Sequence, residues 1–384
     1  AAAPPELLPA LLERGTKDGE VRDGVLAVLG ARGRWLAAFE PAWGWAASGT
    51  SGDEAAAWAE GSAEERAALL RRVRRADPAR GLELVRSTWE ADHPRVRAAL
   101  LLELAAGLSD ADEPFLEAAL DDRRKEVRAA AAEVLAGLPT SRRAARATER
   151  ARGWVRLSAP SGGLLAKVTG AKAKLAVEPP KACTPEMERD GVEPKPRRKG
   201  GQRAWWLEQV VAAVPPAVWT AEAPPETWIA AARAGDWADA LLAGWAAAAA
   251  RHRDPAWAEA LVRLGAAGTY QAALFRTLAP DVYRALARSR VERQRTLHGD
   301  EESVLFVARS PYPLGAELTA AVLARVSPKA LENDWAMRDR LRLLAARLDP
   351  AAALDVVTAW EPAPRGAWVD LLHARHALHE AFAS

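Results

Sequence analysis

The chain has 384 residues, and 53 Lys and Arg against 51 Asp and Glu give a net charge of +2. That length predicts two or three lobes in place of one core, and so small a net charge is far from the basic excess of a protein whose affinity comes chiefly from neutralising phosphates, so a nucleic-acid role needs local charge segregation. The single Cys183 excludes an internal disulfide and a cysteine-based zinc site; nothing calls for an oxidising compartment, so a cytoplasmic protein is expected.

At the start, Ala1 to Leu12 has no basic segment ahead of an apolar stretch and is broken by Pro4, Pro5, Glu6 and Pro9, so no signal peptide is expected. Helix starts then follow in number. Ser62-Ala-Glu-Glu65 reads as a capping box and Asp110-Ala-Asp-Glu113 as an aspartate-led version. Asp77-Pro78, Asp254-Pro255, Ser327-Pro328 and Asp349-Pro350 each set a capping side chain before a first-turn proline. Between such starts, apolar residues recur three and four apart, as in Leu69, Leu70, Val73 and again in Leu341, Leu344, Leu348. The fold class is therefore all-α. Sixteen tryptophans, among them Trp35, Trp89, Trp245 and Trp257, read as bulky anchors filling gaps between alanine-rich helices. The run Leu241–Ala250 is too short and too weakly apolar to span a bilayer, so no membrane partner is expected.

Val96-Arg97-Ala98-Ala99 returns as Val127-Arg128-Ala129-Ala130, and each copy runs on to Ala-Gly-Leu, at 106–108 and 136–138. A repeated helical unit has an apolar face too small to form a core alone, so units stack into an array, typically a surface for partners. The exception to helix lies between Ser158 and Gln202, where Ser161-Gly-Gly163, a lysine-rich stretch, Pro179, Pro180, Pro185, Pro194 and Pro196 leave no room for a long helix. Lys174–Val177 suits one short extended segment, which the prolines confine to a sheet edge or to no sheet. The expected division is a helical segment over 1–78, repeats over 79–157, a Pro/Lys-rich connector over 158–202 and a helical lobe over 203–384.

The paired helices of 79–140 resemble HEAT repeats. The resemblance implies a HEAT-like α-solenoid with a ladder of charge-assisted contacts, made by an aspartate in the turn and an arginine six residues on, a spacing that Asp122 and Arg128 match. Asp92 and Arg97 are five apart, so Arg97 is expected to reach Asp121 or Asp122 of the next unit. Leu120-Asp-Asp-Arg-Arg-Lys-Glu-Val-Arg128, Leu138-Pro-Thr-Ser141, Met187-Glu-Arg-Asp-Gly191 and Gly201-Gln-Arg-Ala-Trp-Trp-Leu-Glu-Gln209 through Val214-Pro215 to Trp219 occur in that order. They resemble a bacterial family of unknown function with HEAT-like helices, whose genes commonly neighbour those for MoxR-type AAA+ ATPases, von Willebrand factor A domain proteins and SWIM zinc-finger proteins. That neighbourhood implies a partner class and carries over no catalytic residue.

Candidate partner contacts gather after the repeats. Arg189 and Asp190 sit in a turn-forming string, where a structural clasp and a partner contact are both open readings. Trp205, Trp206, Gln209 and Trp219 flank the next helix, and adjacent tryptophans cannot both face one core. His373, His376 and His379 crowd one helix end; a solvated end is the plainer reading, with metal ligation by His376 and Glu380, and His373 as a third ligand, as the alternative. Arg284, Arg288, Arg290, Arg293 and Arg295, and Lys195 to Arg198 with Lys199, are the basic runs on which nucleic-acid binding would rest. No phosphate loop, His-Glu-x-x-His, Cys-x-x-Cys, Gly-x-Ser-x-Gly or dinucleotide fingerprint occurs. The expected protein is a cofactor-free, non-enzymatic scaffold or adaptor, with a nucleic-acid binder and an unrecognised hydrolase or transferase as alternatives.

Overall fold

A computed structural model describes residues 3–47, 54–158, 173–197, 201–331, 334–360 and 366–383. Ser161-Gly-Gly163, Arg198 and Lys199 lie outside the described residues. The chain is helical almost throughout, and it divides into two compact units, one ending at Val73 and the other beginning at Arg74.

In the first unit, helices Leu8–Lys17 and Arg22–Ala37 bury Leu8, Leu12, Val25 and Leu29. Gly15 admits the Trp45 ring, which a Cβ would meet at 2.3 Å, and the indole N–H donates to Thr16 Oγ1 at 3.1 Å. Trp35 departs from the anchor reading. It is 62% exposed and stands edge-on to the exposed Phe39, with centroids 4.7 Å apart. The capping box at Ser62 forms as expected, Ser62 N donating to Glu65 at 2.8 Å and Glu65 N to Ser62 Oγ at 3.3 Å. Leu69, Leu70 and Val73 are buried.

In the second unit, Asp77, Asp254 and Asp349 each accept from the backbone N–H three residues on, ahead of a first-turn proline. The box anticipated at Asp110 is shifted by one residue: Ser109 and Asp112 make it. Asp112 thereby faces a second task. It binds the Arg74 guanidinium at 2.8 and 2.9 Å, while the other Arg74 N–H groups donate to the carbonyls of Pro78, Leu104, Ala106 and Gly107. Arg74 is fully buried, and a buried guanidinium is tolerable only when its donors are satisfied in this way.

The helices that carry Val-Arg-Ala-Ala, Pro94–Glu103 and Lys125–Ala136, pack against each other. Arg97 reaches the Asp122 carboxylate at 2.8 Å, whereas Arg128 meets Asp122 through its main-chain oxygen, also at 2.8 Å. Farther on, helices Pro280–Glu292, Ala316–Leu323 and Pro350–Val357 pack in one row, and Glu301–Ala308, Trp335–Ala345 and Ala367–Ala383 in another. Several polar contacts recur at a similar span. Glu113 with Arg142, Glu117 with Arg146 and Arg288 with Glu317 are 29 residues apart, and Thr319 with Asp349 and Ala345 with Arg375 are 30 apart.

Lys174–Val177 is extended as anticipated, and it pairs antiparallel with Val155–Ser158, which the sequence places at the end of the repeats. The main core continues from Ala147 through Met187 and Val192 to Leu372. At its centre Trp219, Trp228, Trp245 and Trp257 are fully buried, with neighbouring centroids 5.0 to 5.9 Å apart. Trp228 donates to the Trp219 carbonyl at 2.9 Å and Trp257 to Thr220 Oγ1 at 3.0 Å, so two of these polar handles are satisfied without solvent. Leu341, Leu344 and Leu348 are also buried. Among the described residues, no helix is long and apolar enough to cross a membrane.

Candidate functional site

Met187-Glu-Arg-Asp-Gly191 forms a short helix, Pro185–Arg189, that ends on Gly191 at φ +86°, with Val192 N donating back to the Met187 carbonyl. A Cβ on Gly191 would stand 2.4 Å from Ala132 Cβ, so only glycine admits this turn against the neighbouring helix. Asp190, 3% exposed, accepts from Arg146 and from Arg150, and its carbonyl accepts from the buried Arg143 at 2.8 Å. Burial alone would raise the Asp190 carboxyl; Arg146 and Arg150 outweigh it and hold it below the usual aspartate range. Arg189 grips Asp121 at 2.7 and 2.8 Å and lies 3.5 Å from Glu117. Its hydrogen bonds lower the Asp121 carboxyl in turn. Burial, with Arg251 and Arg146 nearby, pushes the Arg143 guanidinium down to about 10, which still leaves it charged at neutral pH. Arg189 and Asp190 thus tie their loop to helices Glu113–Ala119 and Arg142–Trp154.

The next family-like string builds helix Gln202–Ala212, on which consecutive residues do different things. Trp206 is 4% exposed and donates to the Pro194 carbonyl at 3.0 Å. Gln209 accepts from Glu193 N at 2.8 Å and donates to the Glu193 carbonyl, pairing with the loop as a strand neighbour would. Trp219 lies in the tryptophan core. Trp205, one step round the helix from Trp206, is only partly buried and faces a cleft of about 540 Å³.

Beside Pro196, three segments supply the aromatic and charged lining of that cleft. Helix Gln202–Ala212 supplies Trp205 and Glu208; the start of helix Ala238–His252 and the residues before it supply Asp236, Trp237 and Asp239; and the turn Gly265–Tyr270 supplies Tyr270. Gly244 sets the distance between the two helices, since a Cβ there would stand 2.8 Å from the Glu208 carbonyl and from Val211. Gly265, at φ +65°, ends helix Pro255–Arg263 by letting Ala266 N donate back to the Leu261 carbonyl at 2.7 Å. Arg203 donates to the Pro179 carbonyl and places its guanidinium 5.5 Å from the Trp237 ring centre. The cleft therefore has three aromatic walls and three carboxylates, and no lysine or arginine lines it among the described residues. Glu208, Asp236, Trp237, Asp239 and Tyr270 escape sequence reasoning because no spacing rule connects three separate segments; adjacent tryptophans at 205 and 206 are the one hint.

Elsewhere the candidates meet local partners. Arg288 pairs with Glu292 and Glu317, Arg290 with Glu302, Arg293 with Ser289, and Arg284 with the Pro313 carbonyl. Of the C-terminal histidines, His376 lies 3.5 Å from Glu380, and among the described residues no group of three His, Cys, Asp or Glu side chains is placed to hold a metal. An Asp-His-Ser arrangement at Asp334, His298 and Ser327 has the order of a hydrolytic triad without its connections. His298 Nδ1 lies 2.9 Å from Asp334, but Nε2 accepts from the Ser327 backbone N–H at 3.0 Å, so the imidazole bridges two helix starts.

No curated protein and no solved structure matches the chain. A family model described as a family of unknown function (DUF5691) matches residues 1–382. With that match running almost from end to end, the chain belongs to the DUF5691 family.

Proposed function

We propose that this protein is a non-enzymatic scaffold or adaptor, a HEAT-like α-solenoid that receives part of a protein partner in the cleft beside Trp205. The cleft carries the reading: aromatic faces beside accessible carboxylates, on a frame fixed by Gly244 and Gln209, suit recognition more than bond-making chemistry. The 29 to 30 residue span of several polar contacts supports stacked units of similar size. Arginines paired with carboxylates on the Pro280–Glu292 helix disfavour the nucleic-acid alternative. MoxR-type ATPases, von Willebrand factor A domain proteins and SWIM zinc-finger proteins are the partner classes that the family resemblance offers for a first test.

The test places a photo-crosslinking amino acid at Thr269, on the exposed turn of the cleft, in the native host. A crosslinked protein that binds the purified chain, and is lost when Ala243→Trp fills the cleft of a normally folded variant, is the expected result. A crosslink indifferent to Ala243→Trp, or no crosslink, overturns the proposal.

A further inference from the structure

We infer that Arg143 binds a small inorganic monoanion, chloride in the first instance, on the Nη1 side of its guanidinium and within the field of Arg251; the site is separate from the cleft at Trp205. The unpaired guanidinium is the first argument. Arg143 is 8% exposed, and its Nε donates to the Asp190 carbonyl at 2.8 Å, while Nη1, shut off from solvent, meets no acceptor among the described residues. Arg74, also buried, shows what such a group ordinarily needs: a carboxylate gripped by two nitrogens, and carbonyls around the remaining donors. Burying a charge without a partner is costly, so a buried guanidinium that lacks a counterion points to one.

The surroundings are the second argument. The two carboxylates whose fields reach Arg143 are committed elsewhere: Asp190 accepts from Arg146 and Arg150, and Glu133 faces Arg251 Nη2 at 3.4 and 3.5 Å. Arg251 gives its Nη1 to the Ala212 carbonyl at 2.9 Å, so a second positive charge is held near the first. Burial, and then the Arg251 charge, push the Arg143 guanidinium down to about 10, so its setting penalises the charge more than the nearby carboxylates reward it. A water would accept from Nη1 and leave the charge uncancelled; an anion does both. The same neighbours set its valence. Asp190 and Glu133 act on this place from either side, so one negative charge is repelled less than the two of a sulfate. Its size follows from the closure of Nη1: a carboxylate brings a chain behind it that a closed side does not admit, whereas a monatomic ion brings none. Bound there, the ion fastens the first turn of helix Arg142–Trp154, and through Arg143 the Asp190 loop.

The test is diffraction from crystals of the full chain soaked in bromide, with data collected at the bromine absorption edge, beside melting temperatures in chloride and in gluconate at equal ionic strength. An anomalous peak within hydrogen-bonding reach of Arg143 Nη1 is expected. Chloride in place of gluconate should raise the melting temperature of the parent chain by about 2–4 °C, and that of Arg143→Met by less than about 1 °C. Glu133→Gln removes an exposed carboxylate that repels the ion, and should lower the chloride concentration of half-maximal stabilisation by roughly threefold; it decides the matter if Arg143→Met does not fold. An ordered water at Nη1 with no anomalous signal overturns the inference. So does chloride stabilising Arg143→Met as much as the parent, or a half-maximal concentration indifferent to Glu133→Gln. A bromide peak without any effect of chloride on the melting temperature is an adventitious ion only, and overturns it as well.

Discussion

Arg146 meets Asp190 side-on, its Nε 3.0 Å from both carboxylate oxygens and its Nη2 2.6 Å from one of them. The acid is almost wholly buried and the base about a third exposed, so removing the acid strands several guanidinium donors in a poorly hydrated place. Asp190→Ala should cost roughly 3 kcal/mol, seen as a lower urea midpoint, with faster hydrogen exchange over residues 185–192. Unchanged exchange there would mean that the loop is held by Met187 and Gly191 without the pair.

The same pair sets an acid dependence. The folded Asp190 carboxyl lies below its ordinary value of 3.8, so its contribution is complete well above that value and is lost as pH falls through the lower folded one. Asp121, lowered by Arg189, acts in the same direction. Urea midpoints measured down to pH 2 should therefore fall more steeply below about pH 4 for the parent chain than for Asp190→Asn.

On the proposed function, Trp205 serves recognition and Trp206 the fold. Trp206→Ala should cost about 3–5 kcal/mol, because a buried indole leaves both a cavity and an unfilled Pro194 carbonyl. Trp205→Ala should lower the melting temperature far less while weakening partner capture. A reversed pattern in paired melting and crosslinking measurements would contradict the assignment of the cleft.

Arg74 offers a substitution as severe as that of Trp206. Arg74→Met keeps length but leaves Asp112 without its counterion and removes the guanidinium donors from four carbonyls, so a loss of about 3–5 kcal/mol is expected in chemical denaturation. Gly244→Ala should cost about 1–3 kcal/mol, since the new methyl meets the Glu208 carbonyl and Val211 on the facing helix.

Much of the helical plan is readable in the chain because caps act within three residues: Asp77, Asp254 and Asp349 carry their own instructions. The box read at Asp110 forms instead at Ser109 with Asp112, whose carboxylate also binds the distant Arg74, a contact that no local rule sees. Val155–Ser158 is four residues long, too short for its alternation to register, and it is a strand only because Lys174–Val177 lies beside it. Trp205 and Trp206 announce that two faces are in use without saying which face is buried. Arg146 and Asp190 are 44 residues apart, and ion pairs of that span leave no spacing signature.

The contacts that recur at 29 or 30 residues also bear on how such a chain would grow. In the stacked array proposed above, a rung such as Glu117 to Arg146 or Thr319 to Asp349, spanning 29 or 30 positions, does not register how many others exist. Duplicating one whole unit would offer every new residue a neighbour of the kind it already has, whereas inserting half a unit would set the helices out of phase. Length variation within the family should accordingly come in steps of about thirty residues, away from the cleft at Trp205 and the buried fork at Arg74, where the pattern is broken and replication would not reproduce it.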